Sequence, residues 1–178
     1  MIHGESMKHT FRRSVGGGRI PPPNLLVKGK WKYLYRAVDS SGQTIDFMLS
    51  AKRDKSAAKR FFCKALKATH TQPPRVINVD KNAAYPPSIE QLKAESTLPS
   101  ACELRQNKYL NNTVEQDHRF IKKLVNLGLG FKSFYTAIRT IMGYETMNTI
   151  RKGQILQIAK GDILAQAEFV SQLFGVVA

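Results

Sequence analysis

The chain holds 178 residues, 42% of them apolar, enough for one domain with a hydrophobic core and too many for a wholly disordered polymer. Lys and Arg number 28 against 13 Asp and Glu, a net charge of +15 with a pI near 10.0. Such a cationic excess repels itself unless a polyanion neutralises it, so nucleic acid is the first partner to consider, although an anionic membrane surface or an RNA-rich assembly carries the same sign. No apolar run has the length of a membrane span, and no signal-peptide core follows the basic start, so an intracellular, cytoplasmic protein is expected. Cys63 and Cys102 stand far apart and read as two reduced thiols. His3, His9, His70 and His118 form no paired ligand motif.

Residues 1–23 are basic and rich in Gly and Pro, without helical or strand periodicity, and read as a disordered leader. Leu25-Leu26-Val27 is a short apolar run closed by the turn Lys28-Gly29-Lys30. Trp31–Val38 and Thr44–Ser50 alternate as half-buried strands do, and Ser40-Ser41-Gly42 turns between them, giving an antiparallel meander. Asp54 stands as N-cap to a helix over Lys55–Ala68 with Ala58, Phe61, Phe62, Ala65 and Leu66 on one face. After Pro73-Pro74 come a buried strand over Arg75–Val79, a short helix around Pro87–Lys93 and a short strand over Cys102–Arg105. Asn111 or Asn112 caps a long helix to Val125, and helical patterns follow over Ser133–Ile150 and Asp162–Phe174. The order is mixed α/β. In the last helix Ile163, Leu164, Ala167, Val170 and Phe174 make an apolar stripe, expected to pack on the domain's own core, with a subunit interface as the sharper alternative.

Two carboxylates are candidates for chemistry. Asp80 ends a buried strand, from where a side chain reaches the crevice beyond the strand ends of an open sheet. The plainer reading is that Asp80 starts a turn with Lys81-Asn82. Glu115 shares a helix face with Arg119 and Lys122, with His118 at its edge, beside the apolar stripe of Val114, Ile121 and Val125. The plainer reading there is a solvated helix with ion pairs of about 0.3–0.5 kcal/mol each. Taken together, carboxylates from separate elements suit hard divalent cations, Mg²⁺ or Mn²⁺, and two such ions can activate an attacking oxygen and stabilise a leaving one. Lys122, two turns past Glu115, is placed to contact a phosphate. The set suits phosphodiester chemistry on a basic protein.

These residues lie in segments with a family likeness. VINVDKNAAYP (Val76–Pro86), KYLNNTVEQDHRFIKK (Lys108–Lys123), WKYLYRAVDSSGQTIDFMLSAKRD (Trp31–Asp54), GYETMNTIRKGQ (Gly143–Gln154) and GDILAQAEFVSQLFG (Gly161–Gly175) closely resemble the bacterial insertion-sequence DDE transposases of the family usually numbered six. The likeness runs from Val27 onward, about five-sixths of the chain. It implies an RNase H-like α/β fold of the integrase and transposase catalytic core, its mixed sheet flanked by helices. It also implies Mg²⁺- or Mn²⁺-dependent cleavage and joining of DNA at transposon ends and target. By the same likeness Asp80 is the second acidic residue of the triad, Glu115 the third, and both bind metal. Lys122 is the basic residue that follows, and Arg119, Lys123 and Lys81 join it in binding DNA. Partners would be DNA and further copies or full-length transposase subunits, in a bacterial cytoplasm near nucleoid or plasmid.

The pattern departs at the start. In the family a Val-Asp-Glu-Thr-Tyr strand precedes VKGKW, and counting back from Gly29 puts its Asp at position 21, where this chain has proline. Proline offers no metal ligand and no N–H for a central strand. The expectation is therefore a chain truncated at its N-terminus: a non-family leader over 1–23, a catalytic domain over 24–152 lacking the start of its first strand, and a helical extension over 153–178. Asp39 and Asp46 fit the family's non-catalytic positions. The expected activity is that of a transposase catalytic domain, with this chain itself inactive. The alternative is a non-catalytic basic DNA-binding or interaction remnant, and composition alone would also allow a small RNA-binding protein.

Overall fold

Alternating bulky and polar residues after Val27 build the first sheet elements of the computed structural model, which describes residues 10–12, 24–68, 73–106, 119–125, 130–156 and 158–176 (backbone alone at 10–12 and 24). β2 (Asn24–Val27), β3 (Lys30–Val38) and β4 (Thr44–Ser50) form the expected antiparallel meander, with Val27 facing Lys30 and Tyr33 facing both Asn24 and Ser50. Lys28 and Gly29 make the two-residue β2–β3 turn with φ of 50° and 69°. Two positive φ angles give a turn whose twist matches the flanking strands, a geometry that Gly29 adopts without a Cβ penalty. At the β3–β4 turn, Asp39 Oδ1 accepts the N–H groups of Ser41 and Gln43 at 2.9 and 2.8 Å.

α1 (Lys55–Leu66) begins where Asp54 accepts the Ala57 N–H at 2.8 Å, as the capping pattern requires. β5 (Val76–Val79) follows, then α2 (Tyr85–Ala94), which starts two residues earlier than its apolar pattern indicated. Pro86 and Pro87 are tolerated there because the first helical turn has no use for their missing N–H. β6 (Glu103–Gln106), α3 (119–125), α4 (Phe134–Arg151) and α5 (Ile163–Leu173) complete the described elements.

One expectation fails at the N-terminus. Thr10–Arg12, placed by composition in a disordered leader, form β1 inside the sheet. β1 runs parallel to β5, with Arg12 beside Asn78, and antiparallel to β3, with Arg12 facing Val38. The three-residue string Thr-Phe-Arg carries no alternation long enough to detect; the slot between β3 and β5 supplies the hydrogen-bonding partners instead. The rest of the leader, Pro21 included, lies outside the described residues. β5 also pairs parallel to β6, so the mixed sheet runs β2-β3-β1-β5-β6, with β4 on β3.

Helices cover both faces. On one, Phe61 and Phe62 of α1 and Tyr85, Ile89 and Leu92 of α2 pack on Tyr35, Ala37, Ile77 and Val79. On the other, Ile121 and Val125 of α3 and Ala137 and Ile141 of α4 pack on Leu25, Val27, Leu34 and Leu49. Each large side chain so buried contributes about 1.5–3 kcal/mol. Residues between α3 and α4 are tied to β2: Phe131 donates to Leu26 O at 2.8 Å and accepts from Lys28 at 2.9 Å. Gly130, at φ 103°, makes this approach possible, since a Cβ there would sit 3.1 Å from Leu26 O. α5 behaves differently. It buries no residue, and Ile163, Leu164 and Phe174 are 76%, 84% and 75% exposed, so the expected packing of its stripe on the domain's own core is not found. Among the described residues no helix is long and apolar enough to cross a membrane.

Candidate functional site

Asp80 follows directly on β5, an internal strand whose Ile77 and Val79 point into the α1/α2 core. Alternation therefore turns Asn78 and Asp80 toward the face covered by α3 and α4. Asp80 is 4% exposed, and its carboxylate is fixed by two named partners. Oδ1 accepts the Asn82 N–H at 3.0 Å, so the turn reading of Lys81-Asn82 is correct as far as it goes. Oδ2 receives Nη2 of Arg53 at 2.9 Å. Gln106, at the end of β6, sets its amide 3.4 Å from the Asp80 carbonyl oxygen. A strand end, an Asx turn and a guanidinium thus hold one buried hard-oxygen donor group at the rim of the sheet.

A second arginine–carboxylate pair lies deeper. Arg36 on β3 donates through Nε and Nη2 to the two carboxylate oxygens of Glu145 on α4, at 2.5 and 2.7 Å, and both side chains are almost wholly buried. Arg36 stands two residues before Val38 and Asp80 two residues beyond Asn78. Because β3 runs opposite to β5, both lie one step further toward the same end of the sheet. The pair anchors α4 there. α4 in turn holds α3, since Arg151 stacks its guanidinium 4.0 Å from the Phe120 ring centre and bonds Asn148 at 3.0 Å.

The other candidate residues fall as follows. Glu115 and His118 lie outside the described residues. Arg119 and Lys123 are exposed on α3, Lys122 is half-buried on the same helix, and Lys81 is exposed beside Asp80. Among the described residues no three of His, Cys, Asp and Glu come together as a metal-holding group. Asp39 is occupied by its turn, and Asp46 pairs with Lys64 at 2.7 Å, away from Asp80. Two shifted carboxylates are surface matters. Lys59 holds Glu95 below the ordinary range, and Arg105 does the same for Glu103. Burial pushes the Cys102 thiol up.

Sequence reading missed Arg53 and Arg36–Glu145. Arg53 lies 27 positions from Asp80 and Glu145 lies 109 from Arg36, and nothing local marks either pairing. The one available signal was a charged residue, Arg36, in the buried half of β3.

Helices on both faces of a mixed sheet, with a buried aspartate at the end of an internal parallel strand, define a mixed α/β domain. Comparison gives the family: residues 24–154 match the model described as "DDE domain", and the chain belongs to that family. It is 35% identical over 145 residues to the transposase for insertion sequence-like element IS431mec of Staphylococcus aureus, covering 82% of this chain and 62% of that protein. The same figures hold for the transposase for insertion sequence element IS257 in transposon Tn4003, also from Staphylococcus aureus. The chain thus spans a little under two-thirds of the length of these curated relatives.

Proposed function

We propose that the chain is the catalytic-domain part of an insertion-sequence transposase, of RNase H-like fold, in which Asp80 and Glu115 are the second and third metal-binding carboxylates of the family's triad. The observation that carries this is Asp80: a buried carboxylate at the end of an internal strand, in a chain of the DDE-domain family with a charge of +15. Its oxygens are the hard donors that Mg²⁺ or Mn²⁺ takes. α3 covers the sheet face toward which Asp80 turns, and Glu115 stands only four positions before Arg119 in the sequence, which supports their meeting. When bound, the metal would supply polarisation of a phosphodiester and activation of its attacking oxygen. The chain's own residues would do the rest. Asp80 and Glu115 would hold the ions, and Lys122, Arg119, Lys123 and Lys81 would neutralise the phosphates of transposon-end and target DNA.

The metal reading is tested by titrating the purified chain with Mn²⁺ and following the electron paramagnetic resonance of the free ion. Wild type is expected to bind, and Asp80→Asn and Glu115→Gln are each expected to remove most of the binding. Unchanged binding in both variants would refute it.

A second reading has its own support. By the resemblance, counting back from Gly29 puts the family's first triad aspartate at position 21, which is proline in this chain. A two-ion site with ions about 3.5–4 Å apart lacks a bridging ligand without that carboxylate. On this reading the chain binds DNA without cutting it and mixes with complete subunits. The expected result in a nicking and strand-transfer assay with Mn²⁺ and transposon-end DNA is no product. Robust strand transfer would overturn this second reading and leave the first.

A further inference from the structure

Resting on the reading of Asp80 as a metal ligand, we propose that Arg53 is its resident counter-ion and the residue that sets the metal affinity of the site. Arg53 sits in the short connector between β4 and α1, and both of its flanks are pinned. Ser50 Oγ accepts the Lys52 N–H at 3.3 Å on one side, and Asp54 caps α1 on the other. The guanidinium is thereby delivered to the end of β5, where Nη2 meets Asp80 Oδ2 at 2.9 Å. Only half of its fork is engaged in this pairing. Nε is buried with no hydrogen-bond partner, unlike Nε of Arg36, which bonds Glu145. An arginine held by one arm of its fork, with 21% of its side chain exposed, is a displaceable neutraliser rather than a locked one.

A divalent ion approaching Asp80 must compete with that guanidinium for Oδ2, and the like charges oppose each other across the same carboxylate. Removing the charge at position 53 should therefore strengthen metal binding. The orientation of Asp80 survives without it, because the Asn82 N–H still holds Oδ1. A purely structural role for Arg53 leads to the opposite result, since loss of its support would loosen Asp80 and weaken the metal.

The experiment is the Mn²⁺ titration on the whole chain, comparing wild type, Arg53→Gln, Arg53→Lys and Asp80→Asn, with thermal melting to establish that each is folded. Arg53→Gln is expected to lower the Mn²⁺ dissociation constant roughly tenfold, while Arg53→Lys, which keeps the charge, stays within about twofold of wild type. Unchanged or weaker binding in Arg53→Gln, or equal behaviour of the Gln and Lys variants, overturns the proposal. Asp80→Asn separates the two failures. If it abolishes binding while Arg53→Gln fails to tighten it, only the role of Arg53 is wrong. If it leaves binding intact, Asp80 is not a ligand and both readings fall.

Discussion

Two arginines meet carboxylates toward the same end of the sheet, and they do so in opposite ways. Arg36 and Glu145 are buried and bidentate, joining β3 to α4 through the core. Arg53 meets Asp80 through one arm at the rim, with its guanidinium partly in solvent and its Nε unpartnered. A buried, fully forked pair is expensive to break because each partner left alone is an uncompensated charge in a low-dielectric interior. A half-engaged pair at the rim can be exchanged. On the proposed reading of Asp80, the difference separates charge used to hold the fold from charge kept available for a metal ion.

The largest expected effect tests the first pair. Arg36→Ala or Glu145→Ala should each lose about 3–5 kcal/mol of stability in urea unfolding, by stranding the other charge. The double variant Arg36→Met with Glu145→Leu replaces both charges with apolar volume and should recover most of that loss. A double variant as unstable as the singles would mean that the pair does more than neutralise itself.

At the rim, neutralising the carboxylate should cost far less. Asp80→Asn is expected to destabilise by about 1 kcal/mol, because its partner is partly screened by water. A loss as large as that at Glu145 would erase the distinction between the two pairs. The smallest effect concerns the α1/α2 core rather than the two pairs. Cys102 is buried and its thiol is pushed up by that burial, whereas Cys63 is half-buried. Iodoacetamide near pH 8 should therefore alkylate Cys63 first and leave Cys102 largely intact in the native protein. Equal rates, read by mass spectrometry, would mean that the α1/α2 core opens readily.

Much of this architecture was legible in the chain because its determinants are local. Alternation gave β3 and β4, Asp54 announced α1, and the apolar run before Asp80 gave β5. Asp80 itself could be picked out because a strand end is a local feature. Thr10–Arg12 could not, since three polar or aromatic residues become a strand only when β3 and β5 offer hydrogen bonds on either side. Arg53 and Arg36–Glu145 are hidden for a related reason: side chains far apart in sequence reveal their pairing only once the sheet is assembled. The stripe on α5 is legible as a pattern but does not form core, because amphipathicity states that a face is apolar without naming what covers it.

Localised radical cleavage asks whether Asp80 and Glu115 grip the same ion, as proposed. Fe²⁺ in place of Mg²⁺, with ascorbate and peroxide, cuts the backbone beside its own ligands, and the fragments are sized by mass spectrometry. Cuts near both residue 80 and residue 115, suppressed together by excess Mg²⁺, are the expected result. Cutting near only one of them, or scattered without relation to either, would contradict a shared metal site.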